Sequence, residues 1–270
     1  MPVVRIDGPA DPRVADYRNI SEPNLVRVRG LFVAEGRLVV QRVIEDGRCA
    51  VRSVLISEVA HQALASILGL LPSDVPVYVC DRVDFAGVTG FHIHQGCLAL
   101  AERPAAIPVC ELLRRAHTIV VLEGVTNADN VGGVFRSVAA FGADAVLLSP
   151  TCCDPLYRKA IRTSLAASVR VPFARIDDWP DGLADVRACG FTILALTPRE
   201  PSETVDAFIQ ESRPARVALL VGTEGQGLSA PIEAFADRRV RIPIRRAVDS
   251  LNLAVATGIV LARLSDPAAL

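Results

Sequence analysis

The sequence has no C-x-x-C pair and no long apolar run. Its seven cysteines are odd in number, which together with the missing pair argues against a disulfide framework or a zinc site and indicates a reducing cytosol. No apolar stretch is long enough to span a bilayer, and the N-terminus lacks the apolar core of a secretion signal. We therefore expect a cytoplasmic protein without a membrane segment.

The chain also has little net charge and almost no lysine. It contains 29 basic and 30 acidic residues, and Lys159 is the only lysine. A net charge of -1 gives no indication of a nucleic-acid partner, so any basic surface must be local. Arginine's planar fork suits phosphate groups. One local cluster holds six arginines against three acidic residues: Arg27, Arg29, Arg37, Arg42, Arg48 and Arg52 against Glu35, Glu45 and Asp46.

Three common active-site motifs are missing as well. Without G-x-G-x-x-G the chain lacks the fingerprint of a dinucleotide-binding oxidoreductase, and without G-x-x-x-x-G-K-[ST] it lacks a P-loop. The absence of G-x-S-x-G excludes the nucleophile elbow of serine hydrolases. What the chain does have is turns of glycine, asparagine and short polar residues after apolar runs, where α/β proteins place their ligands.

Composition predicts two domains. A Pro/Ala-rich stretch at 101–108 is typical of a linker, so we predict one domain over 1–103 and a second over 104–270. The first is expected to be a small α/β unit with helices at 31–43 and 58–70 and strands at 51–56, 75–79 and 96–100.

The second domain has a more regular pattern, in which apolar runs alternate with helical segments. The predicted strands are 118–122, 145–148, 191–196, 217–221 and 240–244. The predicted helices are 130–141, 155–167, 181–188, 231–236 and 250–264. This alternation predicts an α/β fold with a parallel sheet covered on both faces.

Two polar segments of this domain are candidate sites. The first, 127–136, could be a simple strand-to-helix junction with Asn127 or Asn130 as the helix cap, but it ends on Arg136, which is either a surface residue or a positioned charge. The second, 222–227, is either a flexible loop or a ligand site in which Glu224 is an acceptor for a ribose hydroxyl or a cation.

A third segment, at 242–254, is the most specific. Pro243 interrupts strand pairing, and we expect Asp249 and Ser250 to cap a long apolar helix with Asn252 in its first turn. Asparagine is a poor helix former there unless its amide has a partner. Five arginines surround this segment and make a phosphate contact plausible: Arg238, Arg239, Arg241, Arg245 and Arg246.

Together these segments resemble the SpoU (TrmH-like) family of S-adenosylmethionine-dependent RNA ribose 2′-O-methyltransferases. The pattern N-x-x-N-x-G-x-x-x-R, then G-x-E-G-x-G-L, then I-P followed by S-L-N is met within 109–264. A weaker likeness, at 34–36 and 94–96, is to the RNA substrate-binding domain of two-domain members. The chain departs from the family at Ala254, where serine is frequent, and at 164–167.

The resemblance implies a parallel sheet whose C-terminal part forms a deep trefoil knot, which periodicity alone would not suggest. It also implies a homodimer with the site close to the dimer interface. S-adenosylmethionine would be held mainly by backbone groups at Gly222, Ile242 and Leu251. The full set of cofactor-binding residues predicted from it is Leu196, Thr197, Gly222, Glu224, Gly225, Ile242, Ile244, Leu251 and Asn252.

The reaction implied is methyl transfer to a ribose 2′-hydroxyl, most simply in 23S or other large-subunit rRNA, since the separate N-terminal domain favours that target by analogy. A tRNA target or a non-catalytic RNA-binding module are the alternatives. Arginine stays protonated, so we expect Arg136 to bind a phosphate and polarise the hydroxyl. The orienting residues would be Asn130, Glu224, Ser250 and Asn252. No metal is needed, and we expect His92 and His94 to serve packing.

Overall fold

The computed structural model places the described residues in two units, each with its own sheet. Those residues are 1–18, 22–81, 85, 87–88, 96–211, 214–245 and 250–265. The first unit contains Met1–Ala105 and Pro155–Arg170, and the second contains Ala106–Asp154 and Val171–Leu270. The segment Pro155–Arg170, which the sequence assigned to the second domain, therefore groups with the first unit.

The sheet of the first unit has five described strands in the order β1-β4-β3-β5-β2. Its strands are β1 (Val3–Arg5), β2 (Leu31–Glu35), β3 (Val51–Ser57), β4 (Val77–Cys80) and β5 (Cys97–Glu102). Strands β1, β4 and β3 are parallel to one another, while β5 runs antiparallel to both β3 and β2.

The sheet of the second unit has seven described strands, all parallel, in the order β10-β12-β9-β11-β6-β7-β8. Its strands are β6 (Thr118–Leu122), β7 (Ala145–Leu148), β8 (Phe173–Arg175), β9 (Thr192–Leu196), β10 (Glu203–Thr204), β11 (Val217–Val221) and β12 (Arg238–Arg241). This is the parallel α/β sheet that the sequence predicted. The strands β6 and β11 are buried along almost their whole length, which explains their continuous apolar runs.

The α-helices follow in chain order. They are α1 (Arg37–Asp46), α2 (Glu58–Ala63), α3 (Ala65–Leu68), α4 (Val109–Arg115), α5 (Ala128–Phe141), α6 (Arg158–Thr163), α7 (Ala167–Arg170), α8 (Leu183–Ala188), α9 (Val205–Glu211), α10 (Ala230–Phe235) and α11 (Leu253–Leu264). Shorter 3-10 and π turns occupy Pro12–Tyr17 and Asn24–Val28.

The helix predicted over 31–43 is wrong in its first part. Residues Leu31–Glu35 form a strand paired antiparallel with β5, and the helix begins only at Arg37. Gly36 separates the two elements with φ of 100°, a value that L side chains rarely adopt. The apolar run fits either state by periodicity, and the available pairing partner decides for the strand.

The segment Pro155–Arg170 packs on the first unit through charged contacts. Arg158 and Arg162 form ion pairs with Glu35 at 3.3 and 2.9 Å, and that carboxylate is almost fully buried. Its single predicted helix is in fact two short ones, because Leu165 and Ala166 adopt left-handed φ values of 52° and 68°. A helix cannot continue through two such residues.

In the second unit, α5 and α11 pack directly against each other. A Cβ on Gly133 would lie 2.6 Å from the Cβ of Ala254, closer than carbon atoms approach. Ser137 and Gly258 meet one turn further along. Small residues at these positions let the two helices approach, which gives Ala254 a packing role.

Candidate active site

The three polar segments converge at one edge of the parallel sheet. They follow β6, β11 and β12, and β11 lies between β6 and β9. Because all these strands are parallel, their carboxyl ends share one edge, which is where open α/β sheets bind ligands. A cavity of about 370 Å³ opens there.

The glycine-rich segment after β11 is a tight turn rather than a flexible loop. Thr223 and Gly227 exchange two backbone hydrogen bonds of 3.1 and 3.0 Å. Gly225 and Gly227 have φ values of 85° and 72°, which favour glycine. A Cβ on Gly222 would lie 2.1 Å from the carbonyl carbon of Gly227. The close approach that requires glycine at position 222 is therefore made by the chain's own backbone.

Asn252 joins the three segments. Its Nδ2 donates hydrogen bonds of 2.9 Å to Asn130 Oδ1 and 2.9 Å to Glu224 Oε1. Its Oδ1 accepts from the backbone of Ala254 and Val255 at 3.0 and 3.2 Å. The side-chain amide of Asn252 thus uses both of its ends within the protein.

These bonds correct the prediction for the start of the last helix. The helix was expected to begin near residue 250 under a cap of Asp249 and Ser250, with Asn252 inside its first turn. Instead Asn252 is itself the N-cap and α11 begins at Leu253. Asparagine is among the best capping residues, which removes the apparent misfit of Asn252 in a helix. Ser250 lies beside the cavity, and Asp249 lies outside the described residues.

Asn130 is 4% exposed and sits in the first turn of α5. The cap of that helix is Asn127, whose Oδ1 accepts a 2.9 Å hydrogen bond from the backbone of Asp129. Asn130 therefore does not cap the helix, and its Oδ1 accepts the hydrogen bond from Asn252 Nδ2. The predicted helix cap is confirmed at Asn127, and the site role of Asn130 stays a prediction.

Arg136 does not reach this cluster. It lies six residues after Asn130, about 9 Å along the helix axis, and does not line the cavity. Its side chain is exposed and makes no hydrogen bond or ion pair to any residue that the structure describes. The structure thus leaves its guanidinium available to a molecule from outside.

The nine residues predicted to bind cofactor all line the cavity. They are Leu196, Thr197, Gly222, Glu224, Gly225, Ile242, Ile244, Leu251 and Asn252. The same wall contains Arg241, which the sequence analysis assigned to a phosphate contact, and Arg199, which it missed. Arg199 stands three residues beyond the end of β9, so the same strand-end rule would have found it.

Two of the five arginines near the third segment have partners within the protein. Arg238 is ion-paired with Glu203 at 2.7 Å and with Glu211 at 2.7 Å, and the hydrogen bonds that it donates to these carboxylates raise its pKa. Arg241 is ion-paired with Glu200 at 3.1 Å. Arg239 and Arg245 form no ion pair with a described residue, and Arg246 lies outside the described residues, so the phosphate contact stays a prediction.

Comparison with known proteins identifies the family. The model of the SpoU rRNA Methylase family matches residues 117–262, which hold all three polar segments. The chain belongs to the SpoU family. It is an RNA methyltransferase of the SpoU type, and enzymes of this type use S-adenosylmethionine.

Individual relatives extend the similarity over almost the whole chain. An uncharacterised tRNA/rRNA methyltransferase of Mycobacterium bovis is 37% identical over 255 residues, covering 93% of this chain and 88% of the relative. The AdoMet-bound rRNA methyltransferase from Sinorhizobium meliloti has a similar fold, with a TM-score of 0.80 at 23% identity and 97% of each chain covered. An RNA 2′-O ribose methyltransferase gives a TM-score of 0.77 at 22% identity, again over 97% of each chain.

The part of the chain that the structure describes has no helix suited to span a membrane and no cluster of metal ligands. None of the helices in that part of the chain combines the length and apolar character needed to cross a bilayer. The same residues contain no group of three His, Cys, Asp or Glu side chains placed to hold a metal ion. His92 and His94 lie outside them.

Proposed function

We propose that this protein transfers a methyl group from S-adenosylmethionine to a ribose 2′-hydroxyl of RNA, with large-subunit rRNA as the target. The observation that carries the proposal is the Asn252 side chain, which lines the cavity together with Glu224 and donates hydrogen bonds to Glu224 and Asn130. This arrangement places polar side chains from three separate segments beside one small-molecule site.

The cavity fits the cofactor in size and chemistry. Its volume of about 370 Å³ falls in the range of small-ligand sites, roughly 300–1,000 Å³. Leu196, Ile242 and Leu251 supply apolar surface for a purine, and the turn after Gly222 supplies backbone polar groups. When bound, S-adenosylmethionine supplies a methyl group already activated by its sulfonium. The protein therefore has to place the acceptor in line with that methyl group and ease the loss of a proton.

The asparagines and Glu224 orient the acceptor. Asn252 Nδ2 donates its hydrogen bonds to Asn130 and Glu224, so Asn252 acts as a positioning residue. Asn130 Nδ2 and Glu224 Oε2 make no hydrogen bond to any described residue and remain for a ribose. Ser250, at the cavity wall, is a further polar contact. Arg136 binds an RNA phosphate and polarises the hydroxyl through its fixed positive charge.

The first unit is proposed to bind RNA, but its arginine cluster is less open than the sequence suggested. Arg29 is ion-paired with Asp16, and Arg52 with Glu102. Arg42 donates to the carbonyl of Leu165 and Arg48 to that of Arg170. Arg27 remains exposed. Phosphate binding by this unit is therefore expected from fewer arginines than the six in the cluster.

Deletion of residues 1–103 would be a poor test of RNA binding, because it would also remove Glu35, the ion-pair partner of Arg158 and Arg162. Substitution of Arg27 by glutamate keeps those contacts. It should weaken RNA binding and reduce its salt dependence, while leaving cofactor affinity unchanged.

The decisive experiment maps 2′-O-methyl groups in total RNA with and without the gene. We expect one site in large-subunit rRNA to lose its methyl group on deletion and regain it with the wild-type gene. Loss of a tRNA site instead would favour the tRNA alternative. No change at all, from a protein that still binds RNA, would favour the non-catalytic module. Calorimetry should show binding of S-adenosylmethionine and S-adenosylhomocysteine but not NAD.

A further inference from the structure

Arg199 holds the end of the glycine-rich turn. Its Nη1 donates to the carbonyl of Leu228 at 3.1 Å, and its Nη2 donates to the carbonyl of Gln226 at 2.5 Å. The same guanidinium forms a 3.0 Å ion pair with Glu233 of α10. One side chain thus bridges the end of the turn, the following helix and the segment after β9.

The carboxylate of Glu233 has a second partner inside the protein. Glu233 is 6% exposed, and its Oε1 accepts a 2.8 Å hydrogen bond from the hydroxyl of Thr197, which is 3% exposed. That hydroxyl in turn accepts from the backbone of Arg199 at 3.2 Å. Burial of a carboxylate costs free energy unless the group is paired and hydrogen-bonded. Loss of Arg199 or Thr197 would therefore leave the Glu233 carboxylate buried without one of its partners.

The turn is consequently held at two places. Asn252 binds Glu224 near its start, and Arg199 binds the carbonyls of Gln226 and Leu228 at its end. Both Arg199 and Thr197 also line the cavity. An arginine fork can bridge several acceptors at once, which a single hydrogen bond or a point charge cannot.

We propose that Arg199, paired with buried Glu233, is a positioning residue that fixes the glycine-rich turn in its cofactor-binding conformation. It acts through the turn and Thr197 and does not touch the reacting atoms. This inference rests on the proposed cofactor site. It extends that proposal by assigning part of the affinity for the cofactor to the ion pair between Arg199 and Glu233.

A binding experiment separates this role from a contribution to general stability. S-adenosylhomocysteine is titrated calorimetrically into the full-length wild-type protein and into Arg199→Ala. The loss of hydrogen bonds from a charged group should raise Kd roughly ten- to a hundredfold. Arg199→Lys, which keeps a charge near Glu233 but cannot bridge both carbonyls, should fall between the two.

The matched control is Arg187→Ala. Arg187 donates to the carbonyl of Phe235 at the end of the same helix and forms a 3.0 Å ion pair with Asp237, but it does not line the cavity. Its side chain is 43% exposed, against 50% for Arg199. Its removal should leave Kd within twofold of wild type. Hydrogen exchange of the amides at 223–228 should rise in both Arg199 variants and not in Arg187→Ala.

A double variant tests the pairing. If Glu233 acts through Arg199, Arg199→Ala combined with Glu233→Gln should bind no worse than the weaker single variant. Wild-type affinity in Arg199→Ala, or an equal loss in Arg187→Ala, would overturn the inference while leaving the cofactor site intact. If the wild-type protein itself does not bind S-adenosylhomocysteine, the cofactor assignment fails first and this inference with it.

Discussion

At the scale of single residues, the site depends on one asparagine amide. Asn252 caps α11 with its oxygen and holds Asn130 and Glu224 with its nitrogen. The two functions involve opposite ends of the same group, so they can be separated by substitution. Aspartate keeps an acceptor for the helix cap and loses the donor.

Asn252→Asp should therefore retain most of the stability but lose activity. A carboxylate still accepts from the backbone of Ala254, so the cap survives, whereas Asn130 and Glu224 lose their donor and Glu224 gains a like charge nearby. Asn252→Ala should cost about 1 kcal/mol more through loss of the cap. Thermal unfolding and single-turnover methyl transfer measure the two effects. Full activity of Asn252→Asp would show that the link to Asn130 and Glu224 is dispensable.

Arg136→Ala should leave folding and cofactor affinity nearly unchanged, because the side chain is exposed and lies outside the cavity. Methyl transfer should fall by about two orders of magnitude or more, because the acceptor loses a positioned charge. Arg136→Lys should restore little, since a point charge does not replace a bidentate fork. Single-turnover rates at saturating RNA and cofactor measure the chemical step.

The control for this prediction is Arg114→Ala, which removes an exposed arginine from helix α4 of the same unit. Its rate should match wild type. Equal rates for Arg114→Ala and Arg136→Ala would reduce Arg136 to a surface residue, and the activating role would pass to Glu224, Ser250 or Asn252.

At the scale of elements, long buried strands were predictable and short edge strands were not. Strands β6, β7 and β11 were predicted with their observed bounds, because strands buried on both faces leave continuous apolar runs. The edge strands β8 and β10, at three and two residues, are too short to leave a pattern. β12 ends at Arg241 rather than residue 244, since Pro243 cannot donate to a ladder.

The cavity wall was predictable for a similar reason. Every predicted cofactor-binding residue lies at or after the end of a strand or just before α11, and strand ends in a parallel sheet share one edge. What the sequence could not supply were contacts between distant side chains. The bonds from Asn252 to Asn130, 122 residues apart, and from Arg199 to Glu233 depend on tertiary packing.

Close packing of α5 on α11 should be essential for the Asn130–Asn252 contact. Gly133→Val places a branched side chain where even a Cβ would lie 2.6 Å from that of Ala254. The helices must separate, with a cost of about 1–3 kcal/mol in the free energy of unfolding and a loss of methyl transfer. Ala140→Val places the same side chain at an exposed position of α5 and should change neither. Urea unfolding and activity of both variants test this; wild-type stability of Gly133→Val would contradict it.

At the scale of the whole molecule, the sequence predicted two units with a boundary near residue 103. It could not predict that the later segment Pro155–Arg170 belongs to the first unit. Pro155–Arg170 groups with Met1–Ala105 because two of its arginines form ion pairs with Glu35. Two of its backbone carbonyls also accept hydrogen bonds from Arg42 and Arg48. Local composition carries no sign of such long-range pairing. The trefoil knot stays a prediction from the family resemblance.

A homodimer through helices α5 and α11 is the remaining prediction at this scale. Val255 and Ile259 are 51% and 36% exposed, four residues apart on α11, beside Ser137 and Phe141 of α5. Exposed apolar residues on one helix face are typical of an interface. A second copy is the expected occupant, because the SpoU resemblance implies a dimer close to the site and the backbone of Val255 is bound by Asn252.

Val255→Arg should convert this dimer to a monomer, since a charge would be buried without a partner at the interface. The molar mass, measured by light scattering during size-exclusion chromatography, should fall to about one chain, 28.8 kDa. Val59→Arg, at a 67% exposed apolar position of α2 in the first unit, should leave the dimer intact. A wild-type protein that is monomeric at every concentration would refute the dimer. A Val255→Arg protein that stays dimeric would move the interface to another surface.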